Sequence, residues 1–593
     1  MSMQFDAAYY MNARPDVLTA FVNSGAEGGT GLTWPAYAAQ HCDNHGWKEG
    51  YNPNAIFNTS EYLAANEDVL NAGVNPFVHY LTHGVNEGRA PNASFPKLGD
   101  GFDAEAYLAA NSDLGEAGIE TPEAAYAHFV MHGQFENRKG APVVDNGANK
   151  GETFNLTTGI DNWTGSALND VANAILESGK STLNSFDAID GGGGENTLNI
   201  IAKENVEVPL GATVKNFQTV NVLNDSTANT VDVSGFEGAK AIWQSGNAGN
   251  ISGLKNGQTA GFKGTSGATV EAAAGATEIN VALDKVVESS HFTFTSAGTS
   301  KVATVSVEGS VAKGTATGTG APAAGYKTGL TLHLDGSVKT LDLALEGENV
   351  NLSVYDTNST PAGAGAVPDK LVTLNASDST AGIWLDASGT GPGDANALAA
   401  LKTASFGSGA DYIQLKQTSL KEKAATLDLG AGNDTVKLGL NVETALADAT
   451  TVAITGGAGG DIFAFTGGNA SIDATSATDA AAEALLQANL VSITDFGNGD
   501  DVLNLAGSIA KAWFTQNAVN TVVQNFVNNN ADATLVQVLS EISNHADLAG
   551  GDAFKFDFGG DAYVFIDTAT VDTVIQLTGI SQTAVTADAV IFA

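Results

Sequence analysis

Cysteine is almost absent: Cys42 is the only one in 593 residues. No internal disulfide can form, which excludes a disulfide-stapled extracellular scaffold. Secretion is not excluded, because a chain this long can stabilise itself by burial. Basic side chains are also scarce, 26 Lys and Arg against 66 Asp and Glu, a net charge of −40. Such a field repels nucleic acid and anionic lipid and attracts cations. It also pushes like chains apart, so assembly needs counter-ions to bridge or screen the carboxylates. Calcium is the hard divalent cation that carboxylate and carbonyl oxygens prefer; the plainer reading is that acidity keeps the chain soluble.

Long apolar runs are missing. No stretch approaches the roughly 18 consecutive apolar residues of a membrane span, so no transmembrane segment is expected. The opening MSMQFDAAYY has neither the basic n-region nor the apolar h-region of a secretory signal, so an export address is expected elsewhere. The catalytic signatures HExxH, GxSxG and the Walker A loop are absent too, and the chain is expected not to be an enzyme. Cys42 sits beside His41 where equivalent positions hold Tyr80 and Phe129, a poor setting for a nucleophile. Hydrophobic content of 43% supports folded cores, and the length suggests three or four domains.

Internal similarity is the strongest positive signal. Phe5-Asp6-x3-Tyr10 recurs as Phe57-Asn58-x3-Tyr62 and Phe102-Asp103-x3-Tyr107, with Asp16, Asp68 and Asp113 six residues past each tyrosine. His41-x3-His45-Gly46 recurs as His79-x3-His83-Gly84 and His128-x3-His132-Gly133, followed by Glu49, Glu87 and Glu136. Each copy reads as two short helices, with Asp6, Asn58 and Asp103 as N-caps of the first. Thr33, Asn75 and Thr121 precede the second, and Pro76 and Pro122 open it. Gly46, Gly84 and Gly133 are expected to end it in the left-handed conformation. Histidines at i, i+4 share a helix face, which suits zinc. The competing reading, packing on aromatics with the glutamates as ion-pair partners, is favoured because the position after the first histidine never holds a glutamate.

From about residue 150 the texture changes to short apolar alternations such as TVNVLND (219–225) and LTLHLDGSVKTLDLAL (330–345). Bounded by Gly, Asn, Asp and Ser, these are strand-and-turn signals suiting a β-solenoid or stacked sandwich. Segments 312–326 and 388–397 read as Gly/Ala/Pro loops. A second pattern, GGxGxDxUx, lies within this region. Gly456-Gly457-Ala-Gly459-Gly460-Asp461 fits it fully, and Gly430-Ala-Gly432-Asn433-Asp434 nearly so, with Leu429 in the first position. Gly407–Ile413 around Asp411 and Gly497–Leu503 with Asp500 and Asp501 lack one glycine, and Asp495 lies just ahead. In the outlier Gly191–Leu198, after Asp190, Asn196 replaces the aspartate. Glycines let the turn bend so that carbonyls point inward while the aspartate supplies charge, the ingredients of a calcium site between coils. Asp411, Asp434 and Asp461 are not nine residues apart, so each rung is larger than a nonapeptide coil or the sites are isolated.

The motifs at 407–463, with ITDFGNGDDVLNL (493–505), resemble the RTX family of type I-secreted bacterial proteins. The helix-prone segment 513–548, FKFDFGGDAYVFIDT (554–568) and the final DAVIFA are similar to the uncleaved C-terminal export region of that family. FNLTTGIDNWTG (154–165) and AIDGGGGENTLNI (188–200) resemble the start of the β region in Gram-negative S-layer proteins of RTX type. The resemblance implies a calcium-dependent lattice on the bacterial surface, with the N-terminal part anchored to lipopolysaccharide or another surface polysaccharide. A calcium-dependent adhesin or biofilm matrix protein is the alternative, and an RTX hydrolase a more distant one.

The expected architecture is helical repeats over 1–145, a β-rich assembly region over 146–400, a calcium-binding β region over 401–505, and a C-terminal helix/β segment with the secretion signal over 506–593. The expected calcium residues are Asp190, Asn196, Asp411, Gly430, Gly432, Asn433, Asp434, Gly457, Gly459, Asp461, Asp495, Asp500 and Asp501. Trp34, Trp47, Tyr62 and Tyr107 are candidate polysaccharide contacts through ring stacking. The expected partners are copies of the chain itself, surface polysaccharide and the type I secretion apparatus.

Overall fold

The computed structural model describes residues 4–24, 31–93, 95–98, 101–133, 138, 150–313, 328–356, 370–387, 398, 400–417, 420, 424–472, 480–507, 516–545, 553–568, 571–586 and 589–592. Both segments expected as Gly/Ala/Pro loops lie almost wholly outside these residues. The chain divides into two compact units. The first comprises residues 1–204, 208–226 and 236–239, and the second comprises 205–207, 227–235 and 240–593.

In the first unit, short helices precede two parallel sheets. Asp6, Asn58 and Asp103 cap their helices as expected, accepting from the N–H groups of Tyr9, Glu61 and Ala106. Asn75 and Thr121 cap the second helices, whereas Thr33 makes no side-chain cap. Gly46, Gly84 and Gly133 depart from expectation. Each closes a π-turn with no positive φ; the left-handed glycines among the described residues of this part are Gly31, Gly50, Gly73, Gly88 and Gly118. A different constraint requires glycine at the three positions: a Cβ would land on the hydroxyl of Tyr10, Tyr62 or Tyr107 respectively. Tyr62 and Tyr107 are buried with Phe57, Phe102, Phe129 and their neighbours, and Tyr10 with Ala38 and Cys42, so the ring cannot move aside.

The β part of the first unit alternates between sheets. Lys150–Asn155, Asn169–Leu176, Thr197–Ala202 and Thr219–Asn224 form one sheet, and Asn162–Thr164, Ala188–Asp190, Thr213–Lys215 and Phe236–Glu237 the other, all paired in parallel. Along the first sheet Asn155, Asn173, Asn199 and Asn221 pass amide hydrogen bonds from rung to rung at 2.8–2.9 Å.

The second unit repeats this alternation on a larger scale. Among the described residues twelve parallel strands, from Thr230–Asp232 to Val590–Ile591, form one sheet. The intervening strands, from Ala241–Gly246 to Val491–Ile493, pair in parallel as the other. Consecutive strands in different sheets, each paired with the strand one coil away, give the connectivity of a β-solenoid rather than an antiparallel sandwich. Alternation along each strand sends every second side chain inward. Ile413, Val436, Phe463 and Leu503 lie in register and are all buried, each burial stabilising by roughly 1.5–3 kcal/mol. The last coil pairs with Thr573–Leu577, which continues antiparallel through Asp561–Ile566 to Ala553–Phe558. Helices Ala480–Asn489, Gln516–Asn529 and Leu535–Asn544 pack Leu486, Val519, Val523, Leu539 and Ile542 onto Phe554, Phe556 and Phe565. Thr534 and Gln537 form a capping box that starts the last helix. Among the described residues no helix is long and apolar enough to cross a membrane.

Candidate functional site: an aspartate ladder on one solenoid corner

The glycine-rich motifs occupy equivalent turns in successive coils. Each joins a strand of the second sheet to one of the twelve-stranded sheet: Ala424–Asp428 to Thr435–Gly439, then Thr451–Thr455 to Ile462–Thr466, then Val491–Ile493 to Val502–Gly507. The coils are therefore larger than nonapeptide rungs, yet the motifs are stacked rather than isolated. Three of these turns share one backbone signature: Gly430, Gly457 and Gly497 have φ of 87–92°, and Gly432, Gly459 and Gly499 of 140–146°. A Cβ on Gly432, Gly459 or Gly499 would collide with the carbonyl oxygen of Gly409, Gly432 or Gly459 in the preceding coil. The glycines thus let carbonyls of adjacent turns come close.

The aspartates stack beside them. The Asp411 N–H donates to Asp434 Oδ1 at 2.7 Å, Asp434 N–H to Asp461 Oδ1 at 2.9 Å, and Asp461 N–H to Asp501 Oδ1 at 3.0 Å. At the start of the ladder Ile383 N–H donates to Asp411 Oδ1 at 2.6 Å. Every carboxylate is thus spliced into the main chain of its neighbour. All four are buried, and among the described residues Oδ2 of Asp411, Asp434 and Asp461 has no hydrogen-bond partner. A buried carboxylate oxygen left unpaired is costly. The last member differs: Asp501 Oδ2 accepts from Gly497 N–H at 2.7 Å.

Burial, reinforced by the next carboxylate in the ladder, pushes Asp411 up to about 8, Asp434 to about 7 and Asp461 to about 6. The row asks for positive charge, either protons or a metal ion. Among the described residues there is no cluster of three or more His, Cys, Asp and Glu side chains that could hold a metal by themselves. A cation here would take one carboxylate oxygen from a coil together with main-chain carbonyls, the donor set of a hard oxygen-seeking ion.

The other expected residues fall into distinct places. Asp495 spends both oxygens on the N–H groups of Gly456 and Gly457, and Asn433 Oδ1 accepts from Gly460 N–H, so these two fasten adjacent coils. Asp500 lies exposed beside Gly460. Asp190 and Asn196 belong to the first unit. Asp190 accepts from Gly192 N–H and Asn216 Nδ2 and pairs with Lys215.

The candidate sugar contacts are corrected in part. Tyr62 and Tyr107 are buried and hydrogen bond through their hydroxyls to His79 Nδ1 and His128 Nδ1, so neither ring offers a face to a ligand. Tyr10 and His41 make the same bond. Trp34 and Trp47 are half-buried, their Nε1–H groups donating to the carbonyls of Ala7 and Asp43. The expected pairing of Glu49 and Glu87 with histidines is replaced by pairing with Arg14 and Arg89, which also hold Asp16 and Asp68. Arg138 holds Asp113, while Glu136 lies outside the described residues. Sequence reasoning missed these arginines because their positions shift between copies: Arg14 stands where the others have Asn66 and Asn111. Burial, with a smaller contribution from Asp43, pushes the Cys42 thiol up to about 12, the opposite of an activated nucleophile.

In comparisons with known proteins no family model matches the chain, and no curated protein matches it.

Proposed function

We propose that the chain is a secreted structural protein that binds calcium along the aspartate ladder and assembles with copies of itself as a bacterial surface layer. The observation that carries this reading is the row of buried, unpaired Oδ2 atoms on Asp411, Asp434 and Asp461 beside stacked glycine carbonyls. Calcium, plentiful outside cells, supplies the charge that these oxygens lack; extracellular modules bind it at about 10⁻⁴–10⁻³ M. The same ions screen the −40 charge that otherwise keeps copies apart.

A second observation supports self-association. Ile160, Phe186 and Leu210 are 70%, 68% and 92% exposed on successive coils of the first unit. Their loop segments, 157–160, 183–186 and 208–212, contain no charged residue. On so acidic a chain, a charge-free apolar strip is where two copies meet at least electrostatic cost. In this reading the N-terminal helices, as three repeats, anchor the protein to surface polysaccharide through several weak contacts in parallel. The C-terminal segment serves type I export.

The test is light scattering and negative-stain imaging of purified protein in millimolar calcium and after chelation. Ordered arrays that dissolve on chelation are expected. Identical assemblies in both conditions would refute the reading. Calcium-bound protein that remains dispersed would instead favour the secreted adhesin or matrix protein.

A further inference from the structure

The turn at 191–198 repeats the ladder motif in spacing, with Gly192, Gly194 and Asn196 matching Gly430, Gly432 and Asp434. Both of its glycines have positive φ, 74° and 81°. The hydrogen bonding is the same in topology. Asn196 Oδ1 accepts from the preceding coil, Asp170 N–H at 2.7 Å, and Asn196 N–H donates to the following coil, Gln218 Oε1 at 2.6 Å. Asp434 does the same between Asp411 and Asp461.

The second terminal atom is what differs. In Asp434 it is an oxygen, buried and unpaired. In Asn196 it is an NH₂ group that donates to the carbonyls of Gly193 at 2.9 Å and Asn216 at 2.8 Å. Main-chain oxygens converge on an amide here, as they converge on a cation in a calcium turn. The neighbouring corner residues are equally complete. Asp170 accepts from Glu152 N–H, Ser166 N–H and the Ser166 hydroxyl. Asp161 and Asp187 each use both oxygens on backbone N–H groups or Thr157. Calcium therefore does not fit at Asp190 and Asn196, despite the motif.

We infer that the Asn196 amide stands in for a bound cation, so the coils between residues 162 and 224 close without metal while those between 403 and 507 require it. The inference rests on the calcium reading of the aspartate ladder. It makes the protein stable in two stages: a metal-independent first β segment, and a second that forms when the chain meets calcium. Chelation should then dismantle part of the molecule and leave the rest folded.

Hydrogen exchange on the full chain, with and without calcium, tests this directly. In the wild type, amides of residues 169–224 should exchange at the same rate in both conditions. Amides of 412–416, 435–439 and 462–466 should slow on the order of a hundredfold when calcium reaches 100 times its dissociation constant. Asn196→Asp replaces the amide by a second oxygen facing two carbonyls, so protection of 191–224 should become calcium-dependent. Asp434→Asn is the converse change and should lower the calcium bound per chain by native mass spectrometry. Loss of protection over both regions on chelation would keep the calcium reading and overturn this inference. No chelation effect over 403–507 would sink the calcium reading and this inference with it. An Asn196→Asp protein whose protection ignores calcium would overturn the inference alone.

Discussion

Asp434 and Asp461 are joined by one hydrogen bond, from the main-chain N–H of the first to Oδ1 of the second at 2.9 Å, and each keeps its other oxygen buried and unpaired. One half of each carboxylate is therefore structural and the other half is available to an ion. Replacing Asp434 by alanine removes both. The Asp411 N–H loses its acceptor, which costs about 1–3 kcal/mol in a buried setting. Thermal melts across a calcium series should show a lower melting temperature and a higher calcium midpoint for Asp434→Ala. Parallel curves for variant and wild type would argue against ligation at this residue.

The same burial fixes the sign of the pH dependence in metal-free protein. Asp411, Asp434 and Asp461 titrate at about 8, 7 and 6 in the folded chain, raised by burial and then by each other. Unfolded aspartates titrate near 4. The folded state thus binds more protons, and stability present below about pH 4 is lost as pH rises through 6 to 8. Chelator-treated protein should melt lower at pH 8 than at pH 5, and calcium should narrow the gap. A metal-free protein equally stable at both values would contradict the assignment.

Gly84 and Tyr62 make a second pair that can be tested alone. A Cβ at Gly84 would land on the Tyr62 hydroxyl, so Gly84→Ala should cost about 1–3 kcal/mol by overpacking. Tyr62→Phe removes the obstructing oxygen together with its bond to His79. The double variant should therefore be more stable than the sum of the two single effects by at least about 0.5 kcal/mol, the usual size of coupling between touching residues. Additive denaturation energies would show that the glycine is there for another reason.

Much of this fold is legible in the sequence, because patterning at period two and turn chemistry are local properties. The alternation in LTLHLDGSVKTLDLAL reappears as buried Leu332, Leu334, Leu341, Leu343 and Leu345, and the N-caps Asp6, Asn58 and Asp103 hold. Two readings failed where the deciding contact was distant. Gly84 looked like a left-handed helix stop, but its constraint comes from Tyr62, 22 residues away in a different helix. Tyr62 itself looked like a sugar platform until its hydroxyl was found on His79. The Asp411–Asp434–Asp461 row could be named from sequence but not assembled, since spacings of 23 and 27 residues stack only when each intervening segment makes one whole coil. The difference between Asn196 and Asp434 was visible as one letter, and its meaning depends on the carbonyls of Gly193 and Asn216.

The exposed strip on the first unit offers the sharpest separation of folding from assembly. Phe186 holds φ at 71°, a left-handed conformation that side chains resist, typically at about 1–2 kcal/mol. Its ring lies over Gly211 and is otherwise largely in solvent. Phe186→Gly relieves the backbone and removes only exposed apolar surface, so the isolated chain should lose little stability, within about 1 kcal/mol either way. Association is a different matter if Ile160, Phe186 and Leu210 form a contact between copies. Sedimentation velocity in calcium should then show Phe186→Gly shifted toward monomer, and Leu210→Ser should do the same. Exchange protection over 169–224 should stay at the wild-type level in both variants. Variants that assemble as the wild type does would remove the strip from the interface; variants that unfold would show that the ring is part of the fold.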